Sequence, residues 1–265
     1  MLHNIDHIVV LVDDLTAASA DWTRAGFTVT PGGTHAAGLT HNALVTFADG
    51  SYFELIAFLQ TEEQQDHRWW PRMADGDGLI DYALLSDDLT NDASTARGHG
   101  LEMAGPEAGG RNRPDGERLE WKSMMLGRGI GEPTLPFVIE DVTPRELRVP
   151  GGDAAKHALG ATGIAGLILV TDNVEESATA MTSLLGAPGE DVVVEEGAML
   201  RFTLGAQWIA LLQPGDDQSD AGQYLRQRGE GPYAVALRGP ASAEGTESVL
   251  LPLDQTHQVR LRYPQ

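Results

Sequence analysis

The 265-residue chain contains no cysteine. Disulfide staples, thiolate metal sites and cysteine nucleophiles are therefore excluded, and the redox compartment stays open. Positive charge is scarce: 18 Lys and Arg stand against 39 Asp and Glu, a formal net charge of −21. Nucleic-acid backbones and anionic lipid surfaces both need Lys and Arg, so nucleic acid and membrane are not expected partners of this acidic protein. Long apolar runs are missing too; none reaches the roughly 18 residues of a membrane-spanning helix. The first residues, MLHNIDHIVV, carry an early Asp and enter a strand pattern at once, unlike a signal peptide, so a cytoplasmic location is expected. There is no Walker-type loop, no Gly-x-Ser-x-Gly elbow and no His-Glu-x-x-His helix. Gly127–Gly131 is glycine-rich but opens no helix, which gives phosphate binding little support.

What is present is a globular balance, with 42% hydrophobic and 22% charged residues. The length corresponds to about 1.8 domains at roughly 150 residues each. The chain reads as a repeat. Ile5–Val12 is a strand pattern that ends at a helix cap, Asp13-Asp14-Leu15-Thr16. A short helix over Ala17–Arg24 stops at Gly26. Phe27–Thr30 follows as a strand and Pro31-Gly32-Gly33 as a turn. Ala43–Phe47 and Tyr52–Phe58 then form a hairpin around Asp49-Gly50. The order is β-α-β-β-β. It restarts at Leu79–Leu85, which runs into Asp87-Asp88-Leu89, with later strands at Leu119–Leu126 and Leu135–Val142. A third unit begins at Gly163–Val170, with a helix over Val174–Leu185 and a hairpin of Met199–Thr203 and Trp208–Leu212. A fourth, incomplete unit spans Tyr233–Arg238, Ser248–Leu253 and Val259–Tyr263. Such repetition governs the fold. The expected class is α+β: βαβββ modules paired into curved, half-open barrels with helices outside, about three and a half modules in two halves. The first half spans 1–144, with modules 1–59 and 78–144. A Pro/Gly-rich connector spans 145–161, and the second half 162–265. Trp69-Trp70-Pro71, between the first two modules, is expected to cover an apolar patch.

Strand alternation puts Ile5, His7, Val9 and Leu11 on one face. Glu54 lies inside the otherwise apolar strand Tyr52–Phe58. A buried carboxylate must be protonated, paired or bound to a cation, and no Lys or Arg lies close in sequence. His7 and Glu54 on neighbouring rigid strands suit a divalent ion such as Zn, Mn, Fe or Ni. The residues alone leave open a satisfied core histidine for His7 and a solvent-facing edge position for Glu54. His35 and His41 fall in a polar loop, where histidines are either solvated or act as acid and base.

The order and spacing of these segments resemble the vicinal oxygen chelate (glyoxalase/bleomycin-resistance/extradiol dioxygenase) superfamily, and within it the bacterial glyoxalase-like domain branch. The segments that carry the likeness are Ile5–Val9, Thr40–Leu44, Tyr52–Ala57, Gly78–Leu84, Pro114-Asp115-Gly116 with Trp121, Leu135-Pro136-Phe137, and His157 with Gly160–Gly163. The resemblance implies a divalent metal in the cavity of a module pair, held by first-strand and last-strand residues, with substrate oxygens completing the shell. Carried over, His7 and Glu54 take two ligand positions. In the second module Asp81, or Tyr82 by another count, is the first-strand candidate, and Glu140 of Leu135–Val142 is the last-strand one. In the second half Gly166 stands for the histidine and Ala210 or Ile209 for the glutamate. That half is expected to be scaffold or the surface of a homodimer.

The implied function is a metal-dependent lyase or isomerase acting on a small oxygenated molecule. In it Glu54 is ligand and proton shuttle, His41 an acid/base, and Asn42, Arg113 and Trp121 shape the substrate pocket. A metal-free binding protein of the drug-sequestering kind, holding a cationic molecule, is the alternative. A ring-cleaving dioxygenase, which needs two His and one carboxylate, is the second alternative.

Overall fold

The computed structural model describes residues 2–127, 132–239 and 251–262. The first half runs β1 (Leu2–Leu11), α1 (Leu15–Arg24), β2 (Thr30–His35), β3 (Thr40–Thr46), β4 (Tyr52–Phe58), β5 (Gly78–Ser86), α2 (Leu89–Gly98), β6 (Met103–Asn112), β7 (Arg118–Leu126) and β8 (Phe137–Asp141). Its eight strands close into a barrel in the order β1-β4-β3-β2-β6-β7-β8-β5. Closure comes from two seams. One is a long antiparallel pairing of β1 with β5, and the other a short one in which Thr34 meets Asn112 and His35 meets Arg111. The two modules thus complete each other's edges rather than leaving a half-open trough.

The connector holds α3 (Arg145–Arg148) and a 3-10 turn at Gly152–Ala155. Beyond it come β9 (Gly163–Val170), α4 (Val174–Leu185), β10 (Glu190–Val194), β11 (Gly197–Leu204), β12 (Gln207–Pro214), α5 (Asp220–Arg228), β13 (Gly231–Arg238) and β14 (Arg260–Arg262). These strands form one open sheet, β10-β11-β12-β9-β13-β14. The expected residues Arg128–Gly131 and Ser248–Leu250 lie outside the described part, and Leu251–Leu253 is not strand. No helix among the described residues is long and apolar enough to cross a membrane.

Alternation sorts the barrel strands into two faces. Phe53, Leu55 and Ala57 of β4 point outward with Ile8, Val10 and Val12, and pack with Trp22 of α1 in the main core. The second sheet contributes Leu167, Leu169, Ile209, Leu211, Val235 and Leu237 to that same core, which welds the halves. Asp14 caps α1 by accepting from the amides of Thr16 (2.8 Å) and Ala17 (3.0 Å). The inward face of the barrel carries His7, Tyr52 and Glu54 around a cavity, with Val9, Leu11, Ile56 and Phe58 packed beneath.

Three local expectations are corrected. Ile5 does not share a face with His7, because β1 has an extra residue, Asp6, between the pairs Ile5–Leu84 and His7–Ala83. This bulge reverses the phase, so Ile5 packs outward while His7 points in. Pro31-Gly32-Gly33 is not a turn but part of β2, where a bulge accommodates Pro31 beyond the reach of β6. Phe27–Thr30 is not a strand of its own: 27–29 are irregular, and Thr30 opens β2.

Trp22 is fully buried, its ring centroid 5.0 Å from that of Phe27 and 5.1 Å from that of Phe53. Trp22→Ala is expected to lower unfolding stability by about 3–5 kcal/mol in urea titrations, the usual cost of deleting a core aromatic ring. A loss below about 1 kcal/mol would contradict this core assignment.

Candidate functional site: a charged cluster in the barrel cavity

A cavity of about 290 Å³ opens into the barrel. Its floor is built from buried charges. Asp6, aimed inward by the bulge, accepts from His7 Nδ1 (2.6 Å) and from Arg148 NH1 (2.8 Å) and NH2 (3.1 Å), and pairs with Arg145 NH1 at 2.5 Å. Burial alone would raise the Asp6 carboxyl. Arg148, then His7 and Arg145, outweigh it and hold Asp6 well below the usual carboxylate range. Arg148 also donates to the Tyr52 hydroxyl (2.7 Å), and Arg145 and Arg148 both pair with Asp141. The short helix α3 of the connector is in this way tied to the barrel interior.

With Nδ1 occupied by Asp6, the other ring nitrogen of His7 faces Glu54: Nε2 lies 3.4 Å from Oε2. The His7 ring stacks on Tyr52 at 4.7 Å, which fixes its plane. Glu54 is held from two more directions. Asn42 Nδ2 donates to Oε1 at 2.6 Å, and His35 Nε2 lies 3.3 Å from the same oxygen. Burial pushes Glu54 upward, but His35 and His7 outweigh it and keep the carboxyl well below its ordinary value. Burial pushes His7 downward, and the carboxylates of Asp6 and Glu54 outweigh that, so His7 is raised above 6.5. Arg111 completes the wall, donating to Asn42 Oδ1 (3.2 Å) and to the Arg148 carbonyl (2.9 Å). Gly32 permits this approach, since a Cβ there would collide with Asn42 Oδ1 and Arg111 NH1. The rest of the lining includes Leu39, Leu44, Trp69, Trp121, Met125 and Phe137.

Of the residues expected in the site, His7, Glu54, Asn42 and Trp121 meet in this cavity. His41 does not. It shares the outward parity of Ala43 and Val45 on β3, while Thr40, Asn42 and Leu44 face in, so it is not placed to act on anything the cavity holds. Asp81 is not beside His7 and Glu54 either. It pairs with Arg68 (2.6 Å) and accepts from Trp69 Nε1 (2.8 Å) in a neighbouring recess. Arg113 sits past the end of β6, paired with Asp115 and Glu117 in a turn. The arginine that lines the cavity is Arg111, two residues earlier. Sequence reasoning also passed over Asp6, Arg111 and Arg148, and weighed His35 only as a loop histidine. Asp6 was open to the argument applied to Glu54, a carboxylate inside an apolar strand, whereas Arg148 is brought in from 142 residues away by folding alone. Trp69 and Trp70 do cover apolar surface, Trp70 packing on Phe58 at 4.9 Å.

Strand pairing identifies the corresponding positions in each module. On β1 and β4, His7 pairs with Tyr52 and Val9 with Glu54. On β5 and β8, Ala83 pairs with Phe137 and Leu85 with Ile139. On β9 and β12, Gly166 pairs with Trp208 and Ile168 with Ala210. Ala83 and Ile139 therefore stand where the second module's metal ligands are expected. Glu140 faces away, accepting from the Leu89 amide at 2.7 Å. Among the described residues no three His, Asp or Glu side chains converge as a metal site. The donors present make a pair, His7 and Glu54, and His35 approaches the other oxygen of Glu54. That set lacks the second-module ligands that the resemblance implies.

A family model described as a glyoxalase-like domain matches residues 5–185. The chain belongs to that family, within the vicinal oxygen chelate superfamily. No curated protein matches it. Among solved structures, this glyoxalase-like protein is similar to a hypothetical protein from Staphylococcus aureus, with 13% identity, 98% of each chain covered and a TM-score of 0.73. It is also similar to a mutant of 4-hydroxymandelate synthase from Streptomyces coelicolor (17% identity, 89% of this chain and 71% of that one, TM-score 0.57). A third likeness is to a xylose isomerase-like TIM barrel/4-hydroxyphenylpyruvate dioxygenase fusion protein (16% identity, 89% and 36%, TM-score 0.54). At these identities the likenesses establish the fold and not the chemistry.

The shifts have opposite consequences for stability. Asp6 and Glu54 stabilise the fold fully above ordinary carboxylate pKa values, and that contribution is lost as pH falls through their lowered values. His7 stabilises it fully below about 6.5, and its contribution is lost as rising pH passes the raised value. The stability–pH curve of the parent is expected to decline as pH rises above about 6.5, and His7→Gln to flatten that limb. A limb unchanged by the substitution would contradict the bridging position of His7.

Proposed function

We propose that this glyoxalase-like protein binds a small oxygenated molecule in its N-terminal barrel without a resident metal, as a small-molecule-binding member of its family. The observation that carries this reading is the identity of the second-module positions: Ala83 and Ile139 have no lone pair to offer an ion. The state of Glu54 agrees with it. A carboxylate held well below its usual range, with Asn42, His7 and His35 around its two oxygens, is a weak base and a poor proton shuttle. In this reading the cluster orients a ligand's oxygens through the amide of Asn42 and the imidazoles, while Trp121, Phe137 and Leu44 exclude water from its apolar part.

The metal-dependent lyase or isomerase is the competing reading, and one observation favours it. Asp6 fixes His7 through Nδ1 and leaves Nε2 directed at Glu54, an arrangement in which a carboxylate orients a ligating histidine.

The two readings separate on one comparison. A small-molecule library is screened by thermal shift against untagged protein, before and after chelator treatment and dialysis. Ligands are expected to protect both preparations equally. They are also expected to lose at least tenfold in affinity in Leu44→Arg, which fills the cavity. Near-stoichiometric Zn, Mn, Fe or Ni in the untreated protein, lost together with turnover in His7→Ala/Glu54→Ala, would replace this reading with the metal-dependent one.

A further inference from the structure

Three guanidinium groups line the cavity, and their charges are not balanced alike. Arg148 is paired with Asp6 and Asp141, and Arg68 with Asp81. Arg111 is only 3% exposed, yet among the described residues no carboxylate lies within ion-pair distance of it. Two of its five N–H groups are bonded, both to neutral oxygens, the Asn42 amide and the Arg148 carbonyl. Glu54 attracts Arg111 across the amide of Asn42 without forming an ion pair with it, and its charge is already shared by His7 and His35. A buried guanidinium without its own counter-ion is costly, and the cost is removed when an anion enters.

The surroundings restrict what that anion is. Beside its charged groups the cavity holds apolar surface, the rings of Trp121 and Phe137 with Leu39, Leu44 and Ile139. Arg68 and His7 already contact the Phe137 ring, and a hydrated inorganic ion would leave the rest of that apolar surface uncovered. A planar organic acid would cover it and present its carboxylate to the guanidinium fork, whose spacing matches two carboxylate oxygens. The sign is opposite to the cationic ligand that the acidic composition suggests, because the charge of −21 belongs to the whole chain, whereas the cavity wall carries Arg111.

We propose that Arg111 is the anion-recognition residue of this cavity, and that the ligand class is small planar organic acids whose carboxylate pairs with Arg111 while the ring lies against Trp121 and Phe137. The inference rests on the binding reading above and names its ligand class.

The test uses two isosteric pairs as probes, benzoate with benzamide and 1-naphthoate with 1-naphthamide, titrated calorimetrically into the full chain. At least one acid is expected to bind ten or more times tighter than its amide. Arg111→Gln is expected to erase that preference, and Arg111→Lys to restore part of it. Because Arg111→Gln removes a buried hydrogen-bonding group and can fail to fold, crystals of the parent soaked in bromide give an independent readout, with an anomalous peak expected against Arg111. If acid and amide bind equally, or Arg111→Gln leaves the preference intact, the anion assignment is overturned while the binding reading stands. If neither member of either pair binds and no bromide peak appears at Arg111, the anion assignment falls, and so does the binding reading for ligands of this size.

Discussion

The buried carboxylate of Asp6 is the constraint on which the site depends. It occupies a β-bulge, so an extra residue is inserted where regular alternation would have carried Ile5 and His7 to the same face. Once inside, an unpaired carboxylate would be expensive, and three groups converge on it. Arg145 and Arg148 arrive from the connector, and His7 turns its Nδ1 toward it. Everything else follows in order. His7 presents Nε2 to Glu54, Glu54 gathers Asn42 and His35, and Asn42 anchors Arg111. One bulge therefore converts a plain strand into the base of a polar network, and it also fastens the joint between the two halves.

Comparison of the halves shows how one fold keeps a cavity and loses it. His7 stacks on Tyr52 in the first half; at the paired positions of the second, Gly166 lies under the indole of Trp208, and a Cβ at Gly166 would run into that ring. Ala210 replaces the glutamate. Helix α5 then packs Ala221 and Tyr224 against Ile168, Met199 and Tyr233, so the face that would line a second cavity is filled. Its partner face joins the core of the barrel. Within this chain the second half acts as a wall and support for the first.

Much of the architecture was legible in the sequence because its signals are local. Aspartate caps, the Asp49-Gly50 turn and apolar alternation each act over a few residues, and their recurrence at a fixed order revealed the modules. The strand β6, MAGPEAGGRN, was not legible. Its glycines and Pro106 carry no strand propensity, and its place is dictated by β7 and by a bulge between Ala104 and Glu107. The site was half legible. His7 and Glu54 stood out as polar groups in apolar strands, and Asn42 and Trp121 followed from the resemblance. A loop reading of His35 and His41 offers no way to choose between them; once both are in strands, parity decides, and it selects His35. Arg113 was the only arginine that the sequence reading put in the pocket, whereas pairing with His35 across the barrel seam places Arg111 inside.

Chemically, the cluster occupies the part of the barrel where the superfamily resemblance implies a metal, but its parts satisfy one another. Each oxygen of Glu54 has a donor, and His7 is bracketed by two carboxylates that favour its charged form. The most direct test of this account is the nitrogen-15 spectrum of the His7 ring, followed as a function of pH in chelator-treated protein. The account predicts that both ring nitrogens carry protons at pH 6.5 and that the midpoint lies above that value. A midpoint at or below it, with an unprotonated Nε2 whose signal moves on addition of Zn or Mn, would contradict the account and return the site to a metal.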